Sequence, residues 1–397
     1  MAATSVADKE RINSPLRTKF GKLQGAFYPK GINMGFKCGI VGLPNVGKTT
    51  IFNALTQGHE EISIVPFSTI HPKRGVVPVP DERLIGLARI LKPKRTVHAH
   101  MEFMDIAGLI EGASQGAGLG NTFLSHIRDM DVILHVVRSF ESEEAVHVLG
   151  SIDPMRDIKI VNMELILKDI ETINKRIQKC EQKGLSVKEN QAMAELLQGI
   201  KLALEQEHPA RHLDLSHEDL HRLRDVHLFT LKPVLYCINV SENDLPGGGK
   251  WEKDLAAFAE SDQAKIVFMC GILEEDLSKI TDPEERKKII EDFLLEQSGP
   301  AKVVSLGYEL LDKVTFFTYD HDEVRAWTIP GGIHAPQAAG HVHTDMERGF
   351  IRAEVIKWNE LVEAGSVHQA KEDGHFRVEG KDYVVQDGDV IHFRFNV

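Results

Sequence analysis

The chain has 397 residues and a formal net charge of −12; 42% of it is hydrophobic and 27% charged. That length allows two or three domains around at least one large core, and the composition is ordinary for a globular protein. The acidic balance excludes a general nucleic-acid coat, no run of 18 apolar residues could span a membrane, and Cys38, Cys180, Cys237 and Cys270 lack the C-x-x-C spacing of a zinc site or disulfide framework, which suits a reducing cytosol.

Residues 1–33 are mildly basic and have no apolar core of signal-peptide length. They are expected to be a disordered extension, or to follow an upstream start codon with Met34 as the functional start. Lys37–Val41, "KCGIV", reads as a short strand entering a glycine turn, and Thr49–Leu55 as the helix that follows. Met101–Gly108, Asp131–Val137, Pro233–Asn239 and Ala264–Cys270 are apolar runs of strand length. Near-continuous runs suit strands buried on both faces, so the pattern predicts an open α/β fold with a mostly parallel sheet.

The middle of the chain interrupts that pattern. Ile166, Ile170, Ile173, Ile177 and Cys180 follow one another at spacings of 4, 3, 4 and 3, a coiled-coil seam on one helix. A turn near Gly184 and a second polar helix through about Leu204 predict an antiparallel hairpin. From Val303 onward, "VTFFTY", "VRAWTI" and "FIRAEVIKW" read as strands, with Asp387-Gly388 as a hairpin-type turn. The division expected is an extension over 1–33, a nucleotidase domain over 34–155 and 213–302, a helical hairpin over 156–212, and a small β-rich domain over 303–397.

Gly42-Leu-Pro44-Asn45-Val46-Gly47-Lys48-Thr49 fits G-x-x-x-x-G-K-[ST] between a strand and a helix. Glycines let backbone N–H groups of Asn45, Val46 and Thr50 and their neighbours curl around a phosphate, and the helix N-terminus adds its positive end. Lys48 is expected to bridge the β- and γ-phosphates and Thr49 to bind Mg²⁺. Asp105 ends a strand and begins Asp-Ile-Ala-Gly108; it is expected to hold Mg²⁺, with the Gly108 N–H sensing the γ-phosphate. Thr69, in "VPFSTIHP", is the expected second hydroxyl ligand. Leu109 stands where many GTPases carry a water-orienting glutamine, which predicts slow intrinsic turnover. The glycine-rich "EGASQGAGLGN" that follows reads as a switch.

"GFKCGIVGLPNVGKTT", "DIAGLIEGASQGAGLGN", "NVSE" and "VRAWTIPGGIHAPQAAGHVHTDMERGFIRAEV" together resemble the YchF proteins, the Obg-like ATPases, from Met34 to Val397. The resemblance implies a P-loop NTPase of the translation-factor class, interrupted by a coiled-coil hairpin and followed by a TGS domain, a ubiquitin-like β-grasp module. It implies hydrolysis of ATP in preference to GTP and association with ribosomes. It also implies that His147 substitutes for the missing glutamine, and that Asn45 supports K⁺ activation. The loop before Thr69 departs from the family pattern, since His71 stands where an acidic residue is usual.

Asn239-Val240-Ser241-Glu242 occupies the place of a guanine-reading Asn-Lys-x-Asp. Glu242 is one methylene too long to accept from guanine as that Asp does. Val240 replaces the lysine and is expected to wall the base, while Asn239 can donate to N7 of either purine. The site is expected to prefer adenine, with backbone carbonyls near Val240–Glu242 accepting from its 6-amino group.

His217-Glu218-Asp219-Leu220-His221 spells H-E-x-x-H, but Ser216 with Asp219 fits a capping box and no third ligand follows. His98 with His100, and His341 with His343, are read as incidental pairs on strand faces. "HPKRG" and "LKPKRT" are candidate RNA-phosphate contacts or plain solvated surface. The expected activity is that of a cytoplasmic, monomeric Mg²⁺-dependent ATPase switch on ribosomes, with no membrane or DNA partner; the alternative is a non-catalytic, nucleotide-regulated adaptor. A small-molecule kinase is disfavoured for want of an acceptor-binding segment.

Overall fold

The computed structural model describes residues 34–56, 73–106, 127–142, 146–182, 188–320 and 322–396. Strands β1 (Met34–Val41), β2 (Lys73–Pro78), β4 (His100–Asp105), β5 (Val132–Arg138), β6 (Val234–Asn239) and β7 (Lys265–Met269) form one sheet in the order β2-β4-β1-β5-β6-β7; β3 (Arg95–Val97) belongs to a second sheet. All neighbours in the first sheet run parallel except the edge pair β2–β4. Every residue of β5 and β6 is buried, as continuous apolar strands must be when both faces are covered.

Helix α1 (Lys48–Thr56) follows β1, and α2 (Glu82–Leu91) follows β2. Asp81 caps α2 by accepting from the Arg83 N–H, and Lys92, at φ 48°, closes it by donating to the Ala88 carbonyl. Two long helices, α3 (Pro154–Gln182) and α4 (Lys188–Glu205), pack against each other. Ile166 and Ile173 of α3 meet Leu197, Ile200 and Leu204 of α4 in a core of their own. The first turns of α3 instead place Ile158, Val161 and Leu165 in the main core. The division expected at 156 therefore falls inside one continuous helix. After α5 (His217–Leu223) come α6 (Glu252–Ser261), α7 (Gly271–Lys279), α8 (Pro283–Asp292) and α9 (Gly299–Leu310). Helix α9 packs on β6 and β7, so the division expected at 303 also cuts a helix of the first body.

The second sheet contains β8 (Lys313–Tyr319), β9 (Glu323–Pro330), β10 (Phe350–Lys357), β11 (Arg377–Glu379) and β12 (Asp389–Phe395), in the order β11-β10-β12-β8-β9-β3. Its first and last long strands, β8 and β12, lie side by side and parallel, the mixed β-grasp arrangement. Phe316 joins Ala335 and Ala339 of α10 (Ala335–Val342) in a cluster on one face. Its neighbour Phe317 faces the other way, into the main core, where Leu361 of α12 and Leu84 and Leu87 of α2 also lie; α11 (Thr344–Arg348), α12 (Trp358–Ala364) and α13 (Val367–Glu372) complete the unit. Adjacent strand residues thus serve two cores, because side chains alternate faces.

One expectation changes here. Asp387-Gly388 does not close a hairpin, because β11 pairs with β10 and not with β12. The Asp387 carboxylate instead accepts from the Thr315 N–H at 2.9 Å and from Arg83 at 2.6 Å, tying β8 to α2. The "LKPKRT" run joins the second sheet and keeps its basic side chains at the surface: β3 adds to β9 in parallel, with the exposed Lys94 on Asp322 at 2.7 Å and the exposed Arg95 near Glu323 at 3.9 Å.

The shared core predicts that the two bodies unfold together. Urea transitions followed by tryptophan fluorescence and by far-ultraviolet ellipticity should coincide. Leu87→Ala, which empties a fully buried site in that core, should shift both by about 2–5 kcal/mol. Two separate midpoints in the parent chain would show that the bodies fold apart.

Candidate functional site

The loop Gly42–Gly47 leaves the C-terminal end of β1 and enters the N-terminus of α1, so backbone N–H groups and the helix dipole converge on one spot. Both motif glycines are required by geometry. Gly42 has φ 152° and a Cβ there would stand 2.3 Å from the Val136 carbonyl oxygen. Gly47 has φ 91° and a Cβ would stand 2.3 Å from the Asn239 amide nitrogen. Between them Asn45 takes a left-handed φ of 63°, which Asn tolerates better than most residues. Arg138, at the end of β5 and almost fully buried, braces this loop. It donates to the Asn45 carbonyl at 3.3 Å and the Phe140 carbonyl at 2.9 Å, with its guanidinium 4.5 Å from the Phe140 ring centre.

Lys48 donates to the Leu43 carbonyl at 2.8 Å. Burial pushes its ammonium down to about 8, against the opposing pull of Asp105. Thr49 donates its hydroxyl to Asp105 Oδ2 at 3.1 Å. Burial raises the Asp105 carboxyl, opposed by that hydrogen bond and by Lys48. Two hard oxygen donors side by side suit Mg²⁺, which favours carboxylate, hydroxyl, water and phosphate ligands. Pro44 is half-buried in the loop, Val46 is buried, and Thr50 sits half-buried beside Gly271. Thr69, Gly108, Leu109 and the glycine-rich segment lie outside the described residues.

At the other end of the site, the Asn239 carboxamide is used twice. Its Nδ2 donates to the Val46 carbonyl at 3.1 Å, and its Oδ1 accepts from the Gly271 N–H at 3.0 Å. One amide hydrogen remains for a base. Val240 corrects an expectation: it is 2% exposed and packed in the main core, so it does not wall an open base site. Glu242 is exposed at the start of a short 3₁₀ turn, Glu242–Asp244. Burial raises the Cys270 thiol, opposed by hydrogen bonds from the Leu273 and Ile272 backbone.

His147 also departs from expectation. It is buried, with Nε2 2.8 Å from Asp157 Oδ2, and its Nδ1 accepts from the Leu149 N–H at 3.2 Å. Both ring nitrogens are therefore engaged, and in this arrangement the imidazole has nothing to offer a water. The same segment touches the phosphate loop through the Val146 carbonyl, which accepts from Asn45 Nδ2 at 3.2 Å. Arg138, Asp157 and Gly271 belong to no sequence motif: Arg138 reaches Asn45, 93 residues away, Gly271 reaches Asn239, 32 away, and Asp157 meets His147 across a 10-residue turn.

The remaining histidine motifs resolve structurally. Ser216 and Asp219 form the capping box of α5, and Glu218 pairs with Arg222. Among the described residues no group of three His, Cys, Asp or Glu could hold a metal. His341 and His343 lie at the end of a helix, not on a strand; His343 Nδ1 accepts from the Asp345 N–H. His98 contacts the Val79 carbonyl. In "HPKRG", Arg74 lies 3.7 Å from Glu102.

Residues 314–396 match a family model for the C-terminal part of YchF-type GTPases, described as a protein of unknown function, and residues 37–194 match one described as a 50S ribosome-binding GTPase. The chain is 45% identical to the "Ribosome-binding ATPase YchF" of Bacillus subtilis (strain 168), across 92% of this chain and 100% of that one. It is 46% identical to the protein of the same name in Haemophilus ducreyi, at the same coverage. The solved structure titled as the Schizosaccharomyces pombe YchF GTPase superposes with a TM-score of 0.79 at 35% identity, covering 93% of this chain and 99% of that one.

Two outcomes follow from the geometry. Lys48 sits near 8 without ligand, and a polyphosphate beside it raises that value. ATP binding should therefore take up a proton, with full affinity below pH 8 and a loss of up to about tenfold per unit as pH climbs past it. Calorimetry at pH 8.5 in buffers of different ionisation enthalpy reads the uptake; identical heats would exclude it. His147→Ala leaves Asp157 buried without one partner and should lower stability by about 1–3 kcal/mol in urea unfolding. An unchanged midpoint would mean that the ring is not held as described.

Proposed function

The chain belongs to the YchF family, and from that membership we propose that it is a ribosome-associated P-loop ATPase that hydrolyses ATP in preference to GTP. The observation that carries this reading is the base end of the site. Asn239 fastens the phosphate loop to the start of α7, while the position that reads guanine in Asn-Lys-x-Asp proteins holds the exposed Glu242. A carboxylate left facing adenine would be unpaired; one on a longer, solvated side chain does not impose that penalty. With Val240 in the core, discrimination falls to backbone groups of 240–242 and of Cys270–Ile272.

At the phosphate end, backbone N–H groups of the loop would hold the β-phosphate and the Lys48 ammonium would leave the Leu43 carbonyl for β- and γ-oxygens. Thr49 and Asp105 would hold Mg²⁺, with Thr69 as a further ligand; the ion neutralises charge developing on the phosphates. No glutamine follows Gly108, so turnover is slow unless another group orients the water. His147 could do so only if the Leu149 N–H released Nδ1, leaving Asp157 to fix the ring. K⁺, held with the help of Asn45, would further screen the phosphates. The setting is cytosolic and the chain acts as a monomer, with the ribosome as partner.

Side-by-side titrations with Mg·ATP and Mg·GTP should show ATP bound about 10- to 100-fold more tightly. Equal or tighter GTP binding would overturn the reading of "NVSE". Steady-state phosphate release with and without ribosomes separates the switch from an adaptor: binding without turnover under both conditions would favour the adaptor.

A further inference from the structure

Helix α7 is held at two points on one face. At its head the Gly271 N–H donates to Asn239 Oδ1 at 3.0 Å. One turn on, the Glu274 carboxylate accepts at 2.5 Å from the N–H of Gly299, the first residue of α9. Positions three apart share a helix face, so both bonds act on the same side of α7. Gly299 has to be a glycine for α9 to close on the carboxylate: a Cβ there would stand 2.8 Å from Glu274 Oε1 and 2.9 Å from the Met269 side chain. Helix α7 packs on α1, but its own buried residues Cys270, Leu273 and Leu277 form a cluster apart from the main core. Leu245, three residues beyond Glu242, joins that cluster. The Cys270–Ile272 side of the base site therefore depends on the two polar bonds.

Glu274 is 4% exposed, and among the described residues its carboxylate has one hydrogen-bond partner, Gly299. Two cavities meet its side chain. One, of about 110 Å³, lies among α1, α7 and α9; the other, of about 270 Å³, opens beside Leu245, Pro246 and Leu294. They leave the contact room to tighten or slacken. The groups that face Glu274 across them do not fix it. Arg286 of α8 donates through Nε and Nη2 to the Leu277 carbonyl, at 3.1 and 2.9 Å, and Lys302 of α9 and Glu296 are exposed. From α1, β2 and β4 come the apolar Leu55, Val77 and Phe103. The thiols of Cys237 and Cys270 feel its charge but stay neutral, since burial raises both. Burial pushes the Glu274 carboxyl up to about 7, against the Gly299 N–H and Arg286.

We propose that Glu274 is a positioning residue for the base end of the nucleotide site: charged, it draws α7 and α9 together and holds Gly271 against Asn239; protonated, it slackens that seat and weakens nucleotide binding. The inference rests on the ATP-binding reading above. A charge-assisted hydrogen bond is about twice as strong as a neutral one, and a helix N-terminus favours a charged carboxylate. Stability moves the other way. A carboxyl raised in the fold takes up a proton on folding between its ordinary value and about 7, so its contribution to stability falls as pH rises through that window. Charged Glu274 thus lowers stability and raises affinity, whereas a residue that only held the fold together would, when removed, lower both. Lys48 weakens binding as pH climbs past 8, so affinity peaks between the two groups.

The test is calorimetric titration of Mg·ATP into the full chain and into Glu274→Gln, which keeps the shape and an acceptor oxygen but never ionises. The ratio of the two dissociation constants cancels what pH does to the nucleotide, to Asp105 and to Lys48. It should be about one at pH 5.5 and about three- to tenfold at pH 8.0, the variant binding more weakly. The variant should also unfold at higher urea than the parent at pH 8.0 and at the same urea at pH 5.5. A ratio that does not change with pH, tighter binding by the variant at pH 8.0, or a variant less stable than the parent at pH 8.0 would overturn the proposal. A second variant, Gly299→Ala, drives a methyl group against the carboxylate without touching a titratable group. It should bind Mg·ATP about threefold more weakly at pH 8.0, and unchanged affinity there would equally overturn the proposal. If the parent binds no Mg·ATP at either pH, the ATP-binding reading falls and takes this one with it. If the parent binds but the ratio is flat, only the role of Glu274 falls.

Discussion

The Asn239 carboxamide is the joint on which the nucleotide site depends. It ends β6, is 5% exposed, and bonds in opposite directions to Val46 in the phosphate loop and Gly271 at the head of α7. Val46 lies 193 residues before Asn239 and Gly271 lies 32 after it, yet the three are held within a few ångströms. A buried amide with both ends satisfied is a rigid connector, because losing either bond leaves a polar group stranded. The bond to Val46 can form only because Gly47 presents no side chain to the amide. Lys48 and Thr49 follow immediately, so their aim at phosphate and metal inherits the precision of this one contact.

A second set of constraints joins the nucleotide site to the β-grasp sheet. Asp105 ends β4, β4 pairs with β2, and α2 follows β2 into the core shared with Phe317 and Leu361. Arg83 sits at the seam. Its guanidinium bonds both Asp81 and Asp387 and lies 5.4 Å from the Phe317 ring centre. The two bodies therefore share apolar packing, a salt-bridged latch and a strand, β3, that leaves one to complete the other. Such a joint transmits position rather than swinging freely, since a close-packed core resists small displacements.

Charge is distributed with the same economy. The arrangement on α3 shows how one helix can serve several purposes. Ile158, Val161 and Leu165 anchor it in the main core, Ile166 and Ile173 meet α4, Asp169 pins a loop, and Lys168 and Lys175 pair with Glu171.

The amino-acid sequence by itself determined the parallel sheet, the phosphate loop and the hairpin seam, because each is a local pattern: continuous apolar runs, glycines at fixed offsets, isoleucines every three or four residues. It also identified Thr49 with Asp105, which the fold brings to 3.1 Å. Tertiary structure decided the rest. Val240 follows a buried strand, and only the fold shows that its side chain goes inward and not toward a base. His147 became a buried partner of Asp157 because the chain turns at Gly150 and runs straight into the helix that carries Asp157, a contact no periodicity records. "LKPKRT" left a nucleic-acid contact and a solvated surface both open; the fold pairs its backbone with β9 and leaves Lys94 and Arg95 at the surface beside Asp322 and Glu323. Charge patterns in a sequence give sign but not direction; direction comes from which face the core leaves outside.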